Sequence, residues 1–200
     1  MRKIYTINED EQQLLDLASE FEYSKYISMR TDIIKLIESF KYSKGGDTLF
    51  RGYFTPYLSY RNISNAKPGK LISDDRKFSF KYGFNKSGDL IYCQYEDEVE
   101  ELIQIDPLCS IGYQIELGRK ELSRITLCKY ENDRISSVNS MCIYGNAIYD
   151  FIFEKYIYKN ESILQSIEMI KKIGLYAPRY HALYLNDYDK YILDKQWRDE

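Results

Sequence analysis

Histidine and tryptophan occur once each in 200 residues, and proline four times. With His181 alone, and with Cys93, Cys109, Cys128 and Cys142 standing 14 to 19 residues apart without a Cys-x-x-Cys pair, a zinc site is not expected. No apolar run approaches the roughly 18 residues of a membrane span. The start of the chain, Met1 to Asp10, turns acidic before a signal-peptide hydrophobic region can form, so no export route is expected. Phosphate-loop spacing is missing too: Gly45-Gly46-Asp47 and Gly83, Gly88, Gly112 and Gly118 read as turn residues. His181 sits in Arg179-Tyr180-His181, with no serine or cysteine in a nucleophile context. The carboxylates crowded into residues 96 to 106 are not two groups held apart across a cleft, as glycosidase chemistry requires. Neither cofactor nor catalytic residue is expected from this inventory.

What is present is an ordinary globular composition, 44% apolar and 30% charged, with a mean hydropathy of -0.51. That length and apolar content suit one core, so residues 1–200 are expected to form a single domain. Three of the four cysteines fall within predicted strands among Ile, Leu and Tyr, where a reduced thiol acts as a small hydrophobe, and this agrees with a cytoplasmic setting. Tyrosine is the compositional outlier, with 21 residues. A phenol suits both half-buried sheet positions and recognition surfaces.

Periodicity predicts the elements. Asn8 and Glu11 form a capping pair before Leu14, Leu15, Leu17, Ala18 and Phe21, which predicts a helix over 9–21. Tyr26, Met29, Ile33, Leu36, Ile37 and Phe40 predict a second helix from about Ser24, stopped by Gly45-Gly46 and completing a helical hairpin over 1–46. The aromatic stretch from Thr48 to Arg61 contains Pro56 and predicts an edge strand or bent pair, and residues 62–75 read as a loop. Strict two-residue alternation begins at Phe78, Phe80, Tyr82 and Phe84 and recurs in hairpin-connected segments to Tyr158. Ile163, Leu164, Ile167, Ile170 and Ile173 predict a third helix, and Tyr180 to Ile192 a fourth. The expected fold is therefore α+β: a twisted antiparallel meander of five to seven strands within 48–159, packed on one face by N-terminal helices and by C-terminal helices within 160–200.

Charge is uneven along the chain. Residues 41–86 carry ten Lys/Arg against three Asp/Glu, a balance of +7, and residues 87–133 carry four against eleven, a balance of -7. The acidic segment reads as a helical turn with Val99, Leu102 and Ile103 inward and Glu96, Asp97, Glu98, Glu100 and Glu101 facing solvent as partner contacts. The resulting expectation is a non-enzymatic binding protein of the bacterial toxin-immunity type. It would mask a basic protein partner, such as a toxin or nuclease, with an acidic, tyrosine-rich surface. A second expectation is a nucleic-acid-associated or phage-encoded regulatory protein using Arg51, Tyr53, Tyr57, Arg61, Lys77 and Lys81, because cations beside stackable rings suit single strands. A third is an enzyme whose site gathers Arg51, Arg61, tyrosines and a carboxylate in a pocket.

Overall fold

The computed structural model describes residues 7–45, 69–73, 77–132, 134–145, 147–160, 163–173 and 179–184. Two helices, α1 (Glu9–Ser19) and α2 (Tyr23–Lys35), lead into the strands β1 (Ser39–Lys44), β2 (Lys70–Ile72), β3 (Phe80–Phe84), β4 (Leu90–Tyr95), β5 (Val99–Gln104) and β6 (Cys109–Glu116). There follow β7 (Glu121–Glu131), β8 (Arg134–Tyr144), β9 (Ala147–Asn160), β10 (Ile163–Ile173) and β11 (Arg179–Tyr184). All eleven join one antiparallel sheet in the order β11-β10-β9-β8-β7-β6-β5-β4-β3-β1-β2. From β3 onward it is a plain meander, in which sequence neighbours are spatial neighbours.

The α1 helix begins at a complete capping box: the Asn8 side chain accepts from the Glu11 amide at 2.8 Å, and Glu11 accepts from the Asn8 amide at 3.1 Å. It lies over β7 and β8, and α2 lies over β4 and β5. Leu14 buries with Ile125, Leu127, Met141 and Phe151 under α1, and Tyr26 and Ile33 bury with Tyr92, Leu102 and Ile115 under α2. The other sheet face has its own cluster of Tyr82, Phe84, Leu90 and Ile103. Alternation along β3 sends Phe80, Tyr82 and Phe84 to that second face. Gly83 faces α2, where a Cβ would come within 2.9 Å of Ile37 and 3.0 Å of Tyr92.

The antiparallel sheet and its α+β character are as the pattern indicates, but the strand count and the covering helices differ. Where a third helix is expected over 160–174, β10 pairs along β9, with register shifts between Ile163 and Ser166. Isoleucine-rich sequence favours a strand as soon as an open edge is available, and the three- and four-residue spacing is a weaker signal than that edge. Residues 179–184 likewise pair with β10 as β11 instead of opening a fourth helix, and the remainder of that expectation, 185–192, lies outside the described residues.

The second helix stops at Lys35, well before Gly45, because Glu38 donates to the Phe84 carbonyl at 2.8 Å and the backbone from Ser39 pairs with β3. Phe40 is thus a strand residue. Lys70–Ile72, expected in a loop, pairs with β1. The expected strand or bent pair over 48–61 lies outside the described residues.

Candidate functional site

The acidic segment is a β-hairpin, not a helical turn. Glu96 takes a left-handed φ of 45° and donates its amide to the Ser79 carbonyl at 2.9 Å. Glu98 donates to the Tyr95 carbonyl at 3.2 Å, and the Leu117 amide donates to the Glu98 carbonyl at 2.8 Å. These bonds fix the β4–β5 turn against the neighbouring β6–β7 turn. Glu96, Asp97 and Glu98 are exposed at its tip.

The remaining two carboxylates of the run are buried. Glu100 faces α2 and is fully buried. Its carboxylate accepts from the Tyr26 hydroxyl at 2.8 Å, the Tyr92 hydroxyl at 2.9 Å and Arg30 Nε at 2.6 Å. Burial, reinforced by the Glu100 charge, pushes both phenols far above their ordinary range. Glu100 is therefore committed to holding α2 on the sheet.

Glu101 points to the other face, where it occupies the space left by Gly112: a Cβ there would meet Glu101 Oε1 at 2.8 Å. The strand registers set Cys93, Glu101, Gln114, Arg124, Cys142 and Asp150 side by side across six strands. Arg124 Nε donates to Cys142 Sγ at 3.4 Å. Four residues beyond Asp150 on the same strand, buried Glu154 accepts from the Tyr156 hydroxyl at 3.1 Å.

Sequence reasoning misses this polar row because its members lie on different strands. Only the registers bring them together. Burial raises the Cys142 thiol, with Arg124 opposing and Asp150 assisting, so the row holds Cys142 as a thiol and not as an activated thiolate.

Of the basic and aromatic set, Lys77 is exposed and Lys81 lies on β3 with its ammonium 4.1 Å from the centre of the Phe40 ring. Arg51, Tyr53, Tyr57 and Arg61 lie outside the described residues. His181 sits on β11 opposite Met169.

Three tyrosines expose much of their surface near the hairpin turns at the acidic end of the sheet: Tyr95 at 40%, Tyr144 at 64% and Tyr149 at 61%. Arg119 is 5.5 Å from the Tyr144 ring centre and 3.5 Å from Glu116, so neighbouring groups already engage its charge.

Among the described residues no group of three or more His, Cys, Asp or Glu side chains is arranged to hold a metal ion. No helix among them is long and apolar enough to cross a membrane. In comparison with known proteins, no family model, curated protein or solved structure matches the chain.

Proposed function

We propose that this is a non-enzymatic binding protein that masks a basic protein partner, as a toxin-immunity protein does, through the turn end of the sheet at Glu96, Asp97 and Glu98. The observation that carries the reading is the β4–β5 tip. Three adjacent exposed carboxylates are held on a hydrogen-bonded hairpin beside exposed Tyr95, and Tyr144 and Tyr149 are exposed at the β8–β9 turn of the same end. A fixed anionic tip steers a cationic partner and sets its register, and amphipathic phenols supply contact area at small entropic cost. Glu100 and Glu101 support the tip from inside and do not touch the partner. All four cysteines are thiols without a disulfide, which supports a reducing, cytoplasmic setting.

The test is affinity purification from the native cell with the wild-type chain and with Glu96→Lys/Asp97→Lys/Glu98→Lys. A stoichiometric basic protein should copurify with the wild type and be lost with the reversal. Its association rate should fall as salt rises. Equal capture by both chains, or no stoichiometric partner, refutes the reading.

A further inference from the structure

Because α1 lies over β7 and β8 and α2 over β4 and β5, strand β6 runs beneath the gap between the two helices. Tyr113 stands on β6 in that gap, half-buried and packed against the hydrophobic clusters under both helices. A cleft of about 510 Å³ opens there, lined in part by Phe21, Tyr26, Met29, Gln104 and Tyr113. This volume falls within the roughly 300–1,000 Å³ of small-ligand pockets. Phe21 belongs to the link between the helices, and its amide donates to the Ala18 carbonyl at 3.3 Å. Its ring centre is 6.1 Å from that of Tyr113 and 6.1 Å from that of Tyr26. The cleft therefore has an aromatic corner built from two helices and a strand.

Charge selects what the corner can hold. Three charged side chains stand on the cleft: Glu20, Glu22 and Lys25. Lys25 Nζ is 3.1 Å from Glu22, so those two answer each other. Glu20 is exposed at the C-cap of α1, whose last turn carries no basic residue, and it forms no ion pair among the described residues. Burial, and then the Glu20 charge, raise the Tyr113 phenol, so that carboxylate is within electrostatic reach of the ring. One carboxylate is thus left over beside aromatic rings.

We propose that this interhelical cleft binds a small organic cation, an ammonium group on an apolar body, with the charge held between Glu20 and the rings of Phe21 and Tyr113. Aromatic faces attract a cation through their quadrupole, and a neighbouring carboxylate adds to that attraction. Met29 and the ring surfaces receive the apolar body, and the Gln104 carboxamide is a polar group at the edge. An anionic ligand would meet Glu20 as a like charge, and a neutral one would leave it unanswered. The cleft shares no residue with the Glu96–Glu98 tip and does not depend on the role given to that tip.

The experiment titrates phenethylammonium into the isotope-labelled full chain, with 2-phenylethanol as the uncharged probe of similar shape. The ammonium should give saturable shifts at the Phe21 and Tyr113 amides and at the Gln104 side-chain NH2, with a Kd of about 1 mM or tighter. The alcohol should bind about fivefold more weakly or worse. Glu20→Gln, an exposed change that removes only the charge, should weaken the ammonium about threefold or more and leave the alcohol unaffected. Tyr113→Leu should weaken it about fivefold, and the Glu20 variant keeps the test decisive if Tyr113→Leu does not fold. The proposal is overturned if no saturable shift appears at Phe21 and Tyr113, if the alcohol binds as tightly as the ammonium, or if Glu20→Gln leaves the affinity unchanged. Shifts confined to residues 95–98 also overturn it, an outcome that leaves the acidic-tip reading standing.

Discussion

Glu100 and Glu101, adjacent in the chain, are buried on opposite faces of the same strand. Glu100 closes a hydrogen-bonded group with Tyr26, Tyr92 and Arg30 under α2, and Glu101 fills the gap above Gly112. Two members of an acidic run thus become internal structure, one on each side of the sheet, while the three before them stay at the tip.

Glu100→Ala leaves the buried Tyr26 phenol without its acceptor, while the Tyr92 hydroxyl keeps Gln94 Oε1 at 3.0 Å. Arg30 can recover water because it is 40% exposed. We expect a loss of about 3 kcal/mol in urea unfolding, with Glu100→Gln losing less because the amide oxygen still accepts. A change below about 1 kcal/mol for the alanine variant would contradict the arrangement.

Gly83→Ala and Gly112→Ala add the same methyl group to β-strands, but with different neighbours. At Gly83 the new atom presses on Tyr92 Cβ at 3.0 Å, which is fixed to the backbone of β4, as well as on Ile37 Cδ1. At Gly112 it presses on the end of the Glu101 side chain. Gly83→Ala should cost about 1–3 kcal/mol, the range for overpacking, and more than Gly112→Ala. Paired denaturation curves give the order, and the reverse order would refute the packing described.

Glu11 and Lys172 join α1 to β10 across 161 residues, with Lys172 Nζ 2.7 Å from Glu11 Oε1 and both side chains less than 10% exposed. Removing one partner leaves a buried charge. Glu11→Gln or Lys172→Met should each cost about 3–5 kcal/mol, and the double replacement much less than their sum. Additivity in a double-mutant cycle would show that the pair is not coupled.

Stability should fall at alkaline pH. Burial first, and then a neighbouring carboxylate, raise the phenols of Tyr26 and Tyr92 beside Glu100 and of Tyr156 beside Glu154. The folded state therefore keeps these protons more tightly than the unfolded chain. The stabilisation is complete below the unfolded pKa of about 10 and shrinks as pH rises above it. Urea midpoints measured from pH 9 to 11.5 should decline, and Tyr26→Phe should flatten the decline. A midpoint constant across that range would be inconsistent with these environments.

Cys128 is 2% exposed, and burial followed by the Glu101 charge raises its thiol well above the ordinary value. It should resist a disulfide reagent at pH 8 in the folded protein and react at the rate of an unperturbed thiol in denaturant. Mass spectrometry of the labelled peptides identifies the site. Rapid labelling of Cys128 in the folded chain would mean that its strand opens readily.

The sequence alone determined what local patterning can determine. The Asn8–Glu11 cap and the stripe through Leu14 made α1, and two-residue alternation with Asn85-Lys86-Ser87-Gly88 and Gly118-Arg119-Lys120 at its turns made the hairpins of the meander. Such features need only neighbours in the chain. Tertiary structure decided the rest. The open edge of β9 drew the isoleucines of 163–173 into a strand despite their helical spacing, and pairing with β3 shortened α2. It was register across separate strands that buried Glu100 and Glu101 and aligned Arg124 with Cys142 and Asp150. The physical reason is that a one-residue shift in pairing reverses which face every side chain occupies, and that choice is made by packing between elements distant in sequence.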